Sequence, residues 1–105
     1  MGEATLYTLL KTLNIPVAYD HFVVTNEITV SPPFVLYRND DSNNFKAEDK
    51  VYLKNNKYII DLVTETKDTA KETTLETLLD NNNIPWDKAE DYIESEKIYQ
   101  IRYFI

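Results

Sequence analysis

The sequence predicts an α+β fold in which two helices pack on a small, mostly antiparallel sheet. Three observations predict it. Leucines recur at helical spacing near the start, residues 50 to 79 read as strand, turn, strand and acidic helix, and residues 98 to 105 alternate as a strand does. At 105 residues the chain is expected to form a single domain, 1–105, with one modest core.

Leu6, Leu9, Leu10 and Leu13 share one helical face, which predicts a helix from about Glu3 to Leu13. Asn14 stops it, and Ile15-Pro16 forces an extended exit. Val17 to Phe22 reads as a strand or an irregular extended segment. Residues 22–31 read as a β-excursion, an arm or a loop, and periodicity does not choose among them. Pro32-Pro33 marks a boundary, because neither ring nitrogen donates to a sheet ladder. Phe34 to Tyr37 is nearly all apolar, as expected of a central strand covered on both faces. Residues 38–49 read as an acidic loop anchored by Phe45.

Val51–Lys54 and Tyr58–Thr64 are β-rich runs on either side of Asn55-Asn56-Lys57, which predicts a hairpin. The chain has one glycine, so asparagine is the expected turn residue; it tolerates the left-handed region better than other residues with a Cβ. Asp68 is placed to cap a helix running to about Asp80, with a thin apolar stripe of Ala70, Leu75, Leu78 and Leu79. The pattern Thr-Leu-Leu-x-x-x-Asn-Ile-Pro occurs twice, at Thr8–Pro16 and Thr77–Pro85. Each copy reads as a helix end, a left-handed asparagine and an extended exit; either one local solution was used twice or an αβ unit was duplicated. Trp86–Lys88 reads as a short strand, and Glu94–Glu96 breaks the run. In the strand from Ile98 to Ile105, one face is Tyr99, Ile101, Tyr103 and Ile105. The other is Ile98, Gln100, Arg102 and Phe104, too apolar to be simply solvated.

The net charge is −7 and the pI about 4.6, with no basic stripe, so firm binding to nucleic-acid phosphates is not expected. With no cysteine there is no disulfide or thiolate site. No apolar run approaches the roughly 20 residues of a membrane span, and no secretion signal is visible, so synthesis in the cytoplasm and no membrane partner are expected. Eight tyrosines suit either a small core or an interface.

The catalytic inventory is thin. His21 is the only histidine, and Asp20, its neighbour on an extended chain, is expected to point to the opposite side. The acidic pairs Asp40-Asp41, Glu48-Asp49, Glu90-Asp91 and Glu94/Glu96 read as solvated. Asp40 to Asn44 lacks the central glycine and closing glutamate of an EF-hand, and the one glycine, Gly2, excludes a glycine-rich phosphate loop. The expectation is therefore no catalytic residue, no metal site, no cofactor and no enzymatic activity. Asp61, inside a β-run, is either an outward-facing residue or the partner of a lysine or Arg102 across strands or subunits.

The packing residues resemble the tail terminator (tail completion, or neck) proteins of long-tailed phages and prophages of Gram-positive bacteria. The resemblance is carried by Leu13-x-Ile15-Pro16-Val17-Ala18-Tyr19-x-His21-Phe22 and Pro32-Pro33-Phe34-Val35-x-Tyr37. It continues through Asn44-Phe45-x-Ala47-x-x-x-Val51-Tyr52 and Tyr58-x-Ile60-x-Leu62-x-Thr64-x-x-Lys67-Asp68, and closes on Tyr92-Ile93-Glu94-Ser95-Glu96-Lys97-x-Tyr99-Gln100. It covers nearly the whole chain, but it is a pattern of packing residues rather than a functional signature. The 22–31 stretch departs from it in being longer.

What the resemblance implies is a tail-terminator-like domain that forms a hexameric ring. Such a ring caps the head-proximal end of the tail tube, stops its polymerisation and joins the tail to the head. The implied partners are further copies of the chain, the major tail tube protein and a head-closure or connector protein, in the virion. Double-stranded DNA would pass through the lumen without specific binding, which suits an acidic chain. Interface candidates are Asn55, Asn56, Asp61, Arg102, Phe104 and Ile105. The alternatives are a head-closure or head–tail connector protein of the same neck, or a small regulatory or ligand-binding α+β module.

Overall fold

The computed structural model describes residues 3–21, 30–40 and 57–105. They form α1 (Glu3–Lys11), β1 (Val17–Tyr19), β2 (Phe34–Asn39), β3 (Tyr58–Thr64), α2 (Thr69–Asn81), β4 (Asp87–Ile93) and β5 (Ile98–Phe104). The strands make one five-stranded mixed sheet in the order β1-β2-β3-β5-β4. β1 lies parallel to β2, and the other three pairings are antiparallel. The fold is a small α+β unit with two helices, as the sequence predicts at that level.

One core joins both helices to one sheet face. Leu6 and Leu10 of α1, one turn apart, meet Leu75 and Leu79 of α2 over Val35, Ile60, Leu62 and Ile101, all essentially inaccessible. Each such leucine contributes roughly 1.5–3 kcal/mol by leaving water. Tyr103 is also fully buried, with its ring edge-on to Trp86 at 5.6 Å between centroids. α2 begins where Asp68 Oδ1 accepts the Lys71 backbone N–H at 3.1 Å, the predicted cap. That hydrogen bond comes first among the causes holding the Asp68 carboxyl below its ordinary pKa.

Both copies of the repeated pattern adopt the predicted geometry. Asn14 has φ 61° and Asn83 has φ 58°, and Ile15 and Ile84 then pack against the core. The likeness stops at the helix exits. α1 leads into β1, which pairs in parallel, whereas α2 leads into β4, which pairs antiparallel at the opposite side of the sheet.

Several expectations are corrected. β3 is paired along its full length by β2 on one side and β5 on the other, from Phe34↔Val63 to Asn39↔Tyr58 and from Ile59↔Phe104 to Thr64↔Tyr99. It therefore has no free edge for Val51–Lys54, and the predicted hairpin partner has no place on it. Residues 51–56, and most of the 22–31 and 38–49 stretches, lie outside the described residues. Arg38 and Asn39 continue β2 rather than opening a loop. On β2 only Val35 and Tyr37 are buried, while Phe34, Leu36 and Arg38 on the far face stay partly open. On α2, Ala70 is exposed and Glu72 takes a buried position. Trp86–Lys88 understated β4, which runs seven residues.

Candidate assembly surface

β4 is an edge strand. It pairs with β5 alone among the described residues, and six of its seven residues are exposed. A strand in that position presents a row of unpaired N–H and C=O groups. Its alternating side chains divide into two rows with different fates.

Lys88 and Glu90 face α2 and are tied to it. Lys88 Nζ lies 3.1 Å from Glu72 Oε1 and 2.7 Å from Glu76 Oε2, and Lys67 Nζ lies 2.8 Å from Glu72 Oε2 while also pairing with Glu90. The Tyr103 hydroxyl donates to Glu76 Oε2 at 2.8 Å. Burial works to raise the Glu72 carboxyl, but hydrogen bonds and charge from Lys67 and Lys88 outweigh it and hold the group below its ordinary value. Glu76, with burial opposing it and Glu72 assisting, raises Lys88; the hydrogen bonds that Lys67 donates to Glu72 and Glu90 raise Lys67. Burial first, then Glu76, pushes the Tyr103 phenol far up.

Asp87, Ala89 and Asp91 lie on the other face, directly opposite Phe104, Arg102 and Gln100 of β5. Ala89 is small, and between its neighbours the surface sinks into a concavity of about 430 Å³ lined by Ala89, Glu90, Asp91, Gln100, Arg102 and Phe104. Arg102 is held from below by Asp61 on β3: Nε bonds Oδ1 at 2.8 Å and Nη2 reaches Oδ2 at 3.4 Å. That bond raises the guanidinium pKa further, against a lowering by burial and with help from Asp61 and Asp91. A second concavity of about 470 Å³ opens where Asp87 and Phe104 meet Asp40 and Lys57.

Of the predicted interface residues, Asn55 and Asn56 lie outside the described residues. Asp61 and Arg102 are brought together across β3 and β5 within one chain, the paired alternative. Phe104 is 39% exposed beside β4. Ile105 packs against the core and its N–H donates to Tyr58 O at 3.0 Å, so it also holds the fold together. The sequence reading missed the α2–β4 charge cluster. Its signal was Glu72 and Glu76, one helical turn apart, with Lys88 as their counter-charge and Lys67 as that of Glu90, two positions on from Lys88.

Asp20 and His21 do not point apart as expected. Asp20 has φ 66°, which turns the chain so that His21 Nδ1 lies 3.1 Å from Asp20 Oδ2, both side chains well exposed. Among the described residues there is no group of three or more histidine and acidic side chains able to hold a metal ion, and no helix long and apolar enough to cross a membrane. No family model matches this chain, and neither does any curated protein or solved structure.

Proposed function

We propose that the protein is a structural assembly protein, a tail terminator that forms a hexameric ring at the head-proximal end of a phage tail tube. The observation that carries the assembly reading is the free edge of β4, seven residues long and open among the described residues. A ring is a head-to-tail contact that closes on itself, and an open sheet edge beside half-exposed aromatics is a means of making one. Phe104 and Tyr92 stand beside this edge, 39% and 46% exposed. The finer assignment to a tail terminator is supported by the resemblance running from Leu13 to Gln100. The net charge of −7 supports a lumen through which DNA passes without being gripped.

The test is mass by light scattering together with negative-stain images, with and without purified tail tubes. Sixfold rings, free or seated on tube ends, are expected. A chain that stays monomeric and binds no tube end overturns the reading, and binding to DNA-filled heads lacking tails replaces it with a connector role. Firm duplex binding at physiological salt contradicts the proposed lumen.

A further inference from the structure

The charges of β4 divide unevenly. Lys88 pairs with Glu72 and Glu76 of α2 and Glu90 with Lys67 just before it, which leaves Asp87 and Asp91 as the edge charges without an ion pair among the described residues, four positions apart with Ala89 between them. The strand is therefore guarded against its own kind. Antiparallel pairing of two β4 edges in one continuous sheet sets Asp87 against Asp91 when centred on Ala89, and Glu90 against itself when centred on Glu90. The other edge among the described residues, β1, is three residues with no cation, followed by Asp20. Like charges directly opposite one another are destabilising, so a second β4 does not suit β4, and β1 offers its aspartates no counter-charge.

The complementary strand has a definite chemistry. It carries cations four positions apart, opposite Asp87 and Asp91, and a large apolar residue between them to fill the 430 Å³ concavity over Ala89 against Phe104. The chain has three pairs of cations at that spacing: Lys46/Lys50, Lys50/Lys54 and Lys67/Lys71. The residues between them are Glu48, Tyr52 and Thr69, and only Tyr52 is large and largely apolar.

We propose that the free edge of β4 receives an extended segment from a second copy of this chain, the run Lys50-Val51-Tyr52-Leu53-Lys54, outside the described residues. β3, its expected partner, is occupied on both sides. Asp40 and Lys57 are joined by a hydrogen bond from Asp40 N–H to Lys57 O at 2.9 Å, so the 16 residues between them leave and return at one point. Tyr52 stands five residues from Lys57 in the sequence, a reach of up to about 17 Å from that point. Backbone pairing supplies the contact, and the lysines and Tyr52 supply its selectivity.

This inference rests on the assembly reading, and cysteine pairing separates the two. The chain has no cysteine of its own. Ala89→Cys and Tyr52→Cys chains co-expressed and oxidised should give 52–89 linked dimers, identified by peptide mass. Lys50→Glu with Lys54→Glu in the Tyr52→Cys chain should lower their yield at least fivefold, and Asp87→Lys with Asp91→Lys in the other chain should restore it. Only 89–89 dimers, or no cross-link at all, overturns the inference. So does a Tyr52→Cys/Ala89→Cys chain that closes internally while the co-expressed single variants stay unlinked. Rings on tail tubes without 52–89 links leave the terminator reading standing and remove this one; links without rings do the reverse.

Discussion

Asp61 and Arg102 stand directly opposite one another on β3 and β5, with the guanidinium fork closed on a carboxylate that is almost wholly buried. The pair sits at the middle of the sheet, beneath the concavity beside β4. It serves the fold before it serves any partner.

Arg102→Ala should accordingly destabilise the protein by roughly 1–3 kcal/mol, between the small worth of a surface pair and the larger cost of stranding a buried charge. The guanidinium is partly open to water, which keeps the value below that upper range. Denaturant titration measures it. Charge reversal at Arg102 is thus no clean probe of assembly, and removing Ile105 is no cleaner, because its side chain packs against the core. Phe104→Ala is the better probe: folding should be retained and ring formation weakened.

Glu72 gives the acid limb of stability. Its folded pKa lies below its ordinary value of 4.5, so its contribution is complete above that value and is lost as pH falls through the lower folded one. Asp68, lowered by its capping bond, adds in the same direction. Glu72→Gln should lower stability at neutral pH and flatten its decline on acidification. Thermal melts from pH 7 to pH 3 check both.

Tyr103 gives the alkaline limb. Its phenol is raised well above 10.0, so the stability it contributes is present below that value and declines as pH rises beyond it. In a spectrophotometric titration Tyr103 should ionise only together with unfolding. Tyr103→Phe removes the bond to Glu76 and should cost about 0.5–1.5 kcal/mol.

Asn14 and Asn83 occupy left-handed backbone that a glycine enters without a Cβ clash. Asn83→Gly should be neutral or mildly stabilising, and Asn83→Ala should cost about 1–2 kcal/mol. The shift in melting temperature separates the two, and Asn14 should behave in the same way.

What was legible in the sequence was local. The leucine spacing of α1, the cap at Asp68, the asparagine exits and the alternation of Ile101 and Tyr103 all act within a few residues, and each sits where its pattern puts it. What failed was non-local. Val51–Lys54 and Tyr58–Thr64 read as a hairpin because propensity sees nearest neighbours, whereas β2 and β5, both distant in the chain, hold the two sides of β3. β4 was read short because its inner row is charged instead of apolar, and Lys88 and Glu90 make sense as inward residues only beside Glu72, Glu76 and Lys67. Glu72 itself is buried against expectation because two lysines surround it.

The strand order also sets a timetable. β5 lies between β3 and β4, so β4 has no seat in the sheet until β5 has taken its own. On a ribosome, a nascent chain ending before Ile98 has, of the described strands, β1, β2 and β3 to pair, with Ile60 and Leu62 at an unfinished margin and β4 still unattached. The β4 edge thus takes its place in the sheet only with the completed subunit.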